Sequence, residues 1–219
     1  YLDAEEYEQS LINLDPITRA QLMRGDWEAR QAGGMFRREW FGVPVKEAPK
    51  EAEWVRYWDR AATQPAPGKD PDFTSGLKLG KTKSGIYYVA NVVRFRGTPL
   101  DNENVIQQTA ALDGLGCEQC MEQEPGSSGV DTIDRYRRVI LPHCKFYSDK
   151  VTGSKIERAG PVSSQVQAGN VRLVEGSWIG EFLDELDMWP NCPHRDQGDS
   201  LSGAYNRLSR KSKPTMWLG

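Results

Sequence analysis

The chain has 219 residues, with 28 Lys and Arg against 31 Asp and Glu for a net charge of −3, and is 38% hydrophobic and 27% charged. This fits one large globular domain, or one domain with an appendage, and excludes a low-complexity chain. No run of about 18 apolar residues marks a membrane helix, and the slight acidic surplus argues against a general nucleic-acid coat, which needs a local excess of Lys and Arg.

In chain order, residues 1–46 read as helix followed by irregular chain. Tyr7, Leu11, Leu14, Ile17, Leu22 and Met23 supply apolar spacing, interrupted at Asp15-Pro16. The opening Tyr1-Leu-Asp-Ala-Glu-Glu has no Met, basic start or apolar core, which predicts an excised fragment without a signal peptide. The Pro-, Glu- and Lys-rich stretch 43–52 reads as a linker or extended arm, and one domain is expected over 47–219. Trp54–Ala62 is a predicted strand with Val55, Tyr57 and Asp59 on one face and Trp54, Arg56 and Trp58 on the other. Strands at Phe73–Leu79 and Ile86–Phe95 complete a three-stranded meander. Helices are then predicted over 102–112, 130–141, 156–167, 178–188 and 196–210, alternating with strands at 117–124, 145–147 and 171–174. A meander followed by such alternation predicts an α/β fold, a mixed sheet with helices on both faces.

Three sets of acids fall where such a sheet can bring them together. Asp59 lies in the first strand, within YWDRAAT, and pairing with Arg60 or Arg56 is its structural alternative. Glu122 and Glu124, in MEQEPGSSG, are expected on one face at the end of the fourth strand, where open α/β sheets place ligands. Asp196 and Asp199, at i and i+3 in HRDQGDSLSG, share a face at a helix start, where either is also a natural cap or first-turn acid. Taken together, the acids point to a metal site. Oxygen donors select hard ions, Mg²⁺ or Mn²⁺, and two such ions suit in-line phosphoryl displacement.

The ordered segments YWDRAAT, PDFTSGLKLG, MEQEPGSSG, KIERAGPVSSQVQAGNVRLVEGSWIGEFLDEL and HRDQGDSLSGAYNRL resemble the C-terminal nuclease domain of the large terminase subunit of tailed bacteriophages, over about residues 54–208. LMRGDWEARQAGGMF (22–36) looks like the segment joining that family's ATPase motor to its nuclease. The resemblance implies a ribonuclease-H-like fold and a metal-dependent endonuclease that cuts concatemeric double-stranded DNA during genome packaging. It implies a portal and a small terminase subunit as partners of the full-length protein, and ATPase activity only there. The host cell cytoplasm is the implied location, with no membrane partner and a monomeric isolated domain. By position, Asp59 matches the acid that bridges the metals, Glu122 or Glu124 the fourth-strand acid, and Asp196 and Asp199 the helix acids. Many relatives carry two adjacent acids before the Gln of the last segment, and here the first is Arg195. Asp72 is an outer-shell candidate, and Lys155 and Arg158 are the preferred contacts to DNA phosphates.

Other motifs lead nowhere. Gly76-Leu-Lys-Leu-Gly80-Lys81 misses the spacing of a phosphate-binding loop and lies between strands. Cys117 and Cys120 are half of a zinc spacing but point to opposite faces of a strand, and Cys192-Pro-His194 is too tight to be the other half. His194 beside Asp196 has the chemistry to orient a water or a phosphate. The alternatives to the terminase reading are another ribonuclease-H-like nuclease, of resolvase or transposase type, and a non-catalytic DNA-clamping or assembly domain.

Overall fold

The computed structural model describes residues 34–61, 68, 70–150 and 152–211. The helices expected before Gly34, most of the 64–71 loop and Lys213 lie outside the described residues. The meander is formed by Glu53–Asp59 (β1), Thr74–Lys81 (β2) and Tyr87–Phe95 (β3). Pro99–Asp113 (α1), Cys117–Glu122 (β4), Ser127–Arg135 (α2), Phe146–Asp149 (β5), Lys155–Gln167 (α3), Val171–Leu173 (β6), Ile179–Met188 (α4) and Asp196–Lys211 (α5) follow. A π-helical turn, Tyr136–Ile140, extends α2.

The strands form one six-stranded sheet in the order β5-β4-β1-β2-β3-β6. The meander pairs are antiparallel, while β4 joins β1, β5 joins β4 and β6 joins β3 in parallel. Parallel neighbours need crossovers, and α1, α2 and α3 supply them. The alternation read in β1 separates two cores. Val55 and Tyr57 pack with Leu77, Val162, Phe182, Leu201 and Ala204 beneath α3, α4 and α5. Trp58 packs on the other face with Ile106, Ile133 and Tyr136 of α1, α2 and the π turn. Asp59 continues the parity of Val55 and Tyr57, so it emerges on the α5 side.

Two glycines that resembled a phosphate loop are explained by the register. Gly76 pairs with Trp58 and Gly80 with Trp54, and a Cβ at either position would lie 2.2 or 2.6 Å from the indole carbons. Each indole covers a position that only glycine leaves open. Gly203 does the same for α5, where a Cβ would meet the Tyr57 ring at 2.2 Å. The helix that carries Asp196 and Asp199 therefore lies directly on β1.

Several boundaries differ from expectation. β1 stops at Asp59 instead of Ala62, and the Ala61 N–H donates to Thr74 Oγ1 (3.1 Å) outside the ladder. β4 stops at Glu122, short of Pro125, so strand alternation no longer governs Glu124. α1 starts three residues earlier than expected, with Pro99 in its first turn behind a Thr98–Asp101 capping box. Phe36 and Phe41 are buried in the core, and Val45 bridges Val174 beside β6, so this stretch of the leading segment packs on the domain. All four cysteines are free, and burial pushes the Cys117 thiol up to about 12 and the Cys192 thiol up to about 11. Among the described residues, no helix is long and apolar enough to cross a membrane.

Candidate metal centre

Four of the five expected acids meet at one end of the sheet. Asp59 is the last residue of β1 and Glu122 the last of β4, and these strands are parallel neighbours. Both therefore project from carboxyl ends on the α5 side. Asp196 and Asp199 lie in the first turn of α5, where the helix N-terminus favours negative charge, and both are buried.

The electrostatics record this convergence. Burial, and then the carboxylates of Asp199, Glu122 and Asp196, hold the Asp59 carboxyl well above the usual carboxylate range, opposed by Lys155. Burial likewise raises Glu122, against the opposing charge of Arg158, and Asp199 raises it further. Asp196 is raised by burial and by Asp72, opposed by the Phe73 N–H, which donates to Asp196 Oδ2 (3.3 Å), and by Arg94, 4.0 Å away. Carboxylates packed this closely lack enough positive charge to balance them, the condition a bound cation relieves.

Neither expected alternative partner serves Asp59. Arg56 lies on the opposite face, bonded to Asp113, Gly76 and Asn91. Arg60 faces Glu124 at 4.0 Å and the Tyr136 ring at 5.9 Å. Glu124 itself is half-exposed at the rim; its charge acts on Glu122 but is not among the largest influences on Asp59.

The expected phosphate contacts border the acids. Lys155, in the first turn of α3, donates from Nζ to Asp199 Oδ2. A cation there opposes the helix dipole, so Asp199 compensates for its position. Asp199 Oδ1 is buried without a hydrogen-bond partner, a vacant acceptor suited to a cation. Arg158, one turn along, lies 4.0 Å from Glu122. Arg158, Asn206 and Arg210 line a cleft that continues from Glu122 and Asp199 toward β5.

A second group adjoins the first through Asp196. Asp72, His194 and Asp196 each offer a ligand atom, and these atoms lie within 4.8 Å of one another. Phe73 is held between Arg94 and Arg96, whose guanidinium carbons lie 3.6 and 3.8 Å from the ring centroid.

Sequence reasoning missed Glu185, and it read Arg94 only as one of several strand and helix basic residues, not as a partner of Glu185 and Asp196. Glu185 of α4 is buried and caps α5 from outside, accepting the N–H groups of Gln197 (2.8 Å) and Gly198 (3.0 Å) on Oε1 and the Gln197 side chain on Oε2 (2.8 Å). Arg94 lies between Glu185 Oε2 (3.7 Å) and Asp196 Oδ2 (4.0 Å). Only the buried position of Glu185 in an otherwise amphipathic α4 carried a local signal.

No curated protein sequence matches this chain. Among solved structures it is similar to the human cytomegalovirus terminase nuclease domain, soaked with manganese and bound to an inhibitor, with a TM-score of 0.58 and 10% identity over 78% of this chain and 94% of that one. It is also similar to the large terminase nuclease of thermophilic phage G20c with bound magnesium, at a TM-score of 0.54 and 14% identity over 81% and 99%. The Thermus phage P74-26 large terminase nuclease domain matches at a TM-score of 0.50 and 15% identity over 78% and 88%. At these identities the likeness is one of fold. The family described as the terminase RNaseH-like domain matches residues 56–208, from within β1 almost to the end of α5. Since that match covers more than half of the chain and contains all four converging acids, the chain belongs to the terminase ribonuclease-H-like domain family.

Proposed function

We propose that this chain is a divalent-metal-dependent DNA endonuclease that cuts concatemeric double-stranded DNA during viral genome packaging. The convergence of Asp59, Glu122, Asp196 and Asp199 carries this reading. The residues fit a metal, because the donors are oxygens, their charges are under-compensated and Asp199 Oδ1 has no partner. The G20c domain is described with bound magnesium, zinc or cobalt, and the cytomegalovirus domain soaked with manganese.

Asp59 is central, with Glu122 and Asp199 beside it and Asp196 on the flank toward Asp72. Two bound ions would supply water activation and charge neutralisation at the scissile phosphate. Glu124, at the rim, is a candidate outer acid that holds Arg60 toward the strand end. Lys155 and Arg158 contact backbone phosphates and position the duplex without reading bases. The wider reading includes an ATPase motor reached through residues 1–46, a portal and small terminase subunit as partners, a monomeric isolated domain and the host cytoplasm as location.

Supercoiled plasmid incubated with the chain and Mn²⁺ or Mg²⁺ should be nicked and then linearised, with EDTA abolishing both. The carboxyls of Asp59, Glu122 and Asp196 are raised, so protons compete with metal, and cleavage should weaken as pH falls through their folded values. Intact plasmid at neutral pH with excess Mn²⁺ would sink the proposal.

A further inference from the structure

His194 has the surroundings of a metal ligand. Its Nε2 lies 2.8 Å from Asp70 Oδ2, while Arg96 Nη2 lies 2.5 Å from Asp70 Oδ1 and 3.1 Å from the same Nε2. Arg96 and a protonated Nε2 are both donors, and the Asp70 carboxylate is the acceptor they share. The shorter of the two Nε2 contacts, to the acceptor-only Asp70 carboxylate, places a ring hydrogen on Nε2, and in the neutral imidazole this leaves the lone pair on Nδ1. Nδ1 is buried and has no hydrogen-bond partner. Its nearest carboxylate oxygen, Asp72 Oδ1, is 3.6 Å away, too far for a hydrogen bond. Phe73 packs edge-on against the imidazole at 5.1 Å and fixes its plane.

Such a carboxylate behind the distal nitrogen is what orients a ligating histidine and raises its basicity. On its open side, Nδ1 faces Asp72, and the imidazole offers a ring nitrogen within 4.8 Å of carboxylate oxygens of both Asp72 and Asp196. Donors around one first-row ion at about 2.0–2.2 Å lie up to about 4.4 Å apart, so a small side-chain rotation closes the group. Asp72 is the mobile member, because its side chain is 70% exposed while that of Asp196 is 7% exposed.

We propose that Asp72, His194 Nδ1 and Asp196 form a cation seat beside the Asp59–Glu122–Asp199 group, with Asp196 common to both, and that the imidazole donor makes this seat prefer Mn²⁺ to Mg²⁺. Imidazole suits transition ions, whereas Mg²⁺ takes oxygen and parts reluctantly with water. The inference rests on the metal-dependent reading above and adds to it the chain's discrimination between ions.

The test is a Mn²⁺ titration of the metal-free full chain, following free Mn²⁺ by electron paramagnetic resonance, with the wild type, His194→Gln, Asp72→Asn and Asp59→Asn. The wild type should bind two Mn²⁺. His194→Gln and Asp72→Asn should each retain one and weaken the other at least about tenfold, the lower limit for disturbing even an outer-shell partner. Excess Mg²⁺ should displace one Mn²⁺ from the wild type more readily than the other, and His194→Gln should lose that difference. Asp72 is exposed, so its variant reports on the seat independently of folding. Two Mn²⁺ bound at wild-type strength by both His194→Gln and Asp72→Asn, with binding still weakened in Asp59→Asn, would overturn this seat alone. A wild type that binds no Mn²⁺ would overturn the metal-dependent reading as well.

Discussion

Asp59→Asn should lower plasmid cleavage by more than about 100-fold, since even outer-shell changes at metal sites cost about 10–100-fold and Asp59 is the central ligand of the proposed metal group. The same variant should melt no lower than the wild type in EDTA. Its carboxylate is forced among those of Asp199, Glu122 and Asp196, with Lys155 the main opposing charge, so the neutral isostere relieves repulsion. The sign with pH follows from the raised folded value. Between the unfolded value, about 3.9, and the higher folded one, the native chain holds a proton that the unfolded chain has released. Metal-free wild type should therefore lose stability as pH rises through that window, and Asp59→Asn should flatten the slope. Differential scanning fluorimetry in EDTA across pH, beside plasmid nicking with Mn²⁺, reads both effects. An Asp59→Asn protein that cuts at the wild-type rate would remove Asp59 from the chemistry.

Asp113→Ala should produce the largest loss of stability, about 3–5 kcal/mol, the cost of removing one partner from a buried ion pair. Asp113 ends α1 and receives both Nε and Nη2 of Arg56 at 2.8 Å, with Lys78 Nζ at 3.1 Å. Arg56 is 2% exposed, and its remaining nitrogen donates to the Gly76 carbonyl (2.9 Å) and to Asn91 Oδ1 (2.8 Å). Truncating Asp113 leaves a guanidinium buried in the sheet without its counter-ion. For a chain of this size, that is a fall in Tm of roughly 6–20 °C. Arg56→Met combined with Asp113→Leu should recover much of the loss, because apolar replacement of a whole buried pair is close to neutral. Burial alone would raise the Asp113 carboxyl, but the Arg56 hydrogen bonds and the charges of Arg56 and Lys78 outweigh it and hold the group low. Its stabilisation is therefore present above about pH 4 and lost as pH falls through the folded value. A single variant that melts with the wild type would show that this pair contributes nothing.

The parts of the architecture legible in the sequence are those written with a short period. Alternation in β1 separated the Tyr57 face from the Trp58 face, and so put Asp59 on the side where α5 packs. Helical spacing placed Asp196 and Asp199 together at the start of α5. Strand ends were harder to read, because the end of a ladder depends on its partner. Glu124 was expected beside Glu122 by alternation that stops two residues too soon. The start of α1 was written locally, in Thr98-Pro99-Leu100-Asp101, and fell before the first apolar residue of the periodic stretch. Contacts between distant segments carry no local pattern at all. The Glu185 cap on α5, the Arg56–Asp113 pair and the Asp70 hold on His194 join residues that only the folded sheet brings together. The separation matters for function. Individual acids were readable, but the charges and caps that tune them were not.

The central claim is that these acids hold the ions that cut DNA, and the position of a bound ion tests it most directly. Crystals soaked in Mn²⁺ and measured at the manganese absorption edge should show an anomalous peak against the carboxylates of Asp59, Glu122 and Asp199. Manganese elsewhere on the chain, with none at Asp59, would contradict the account.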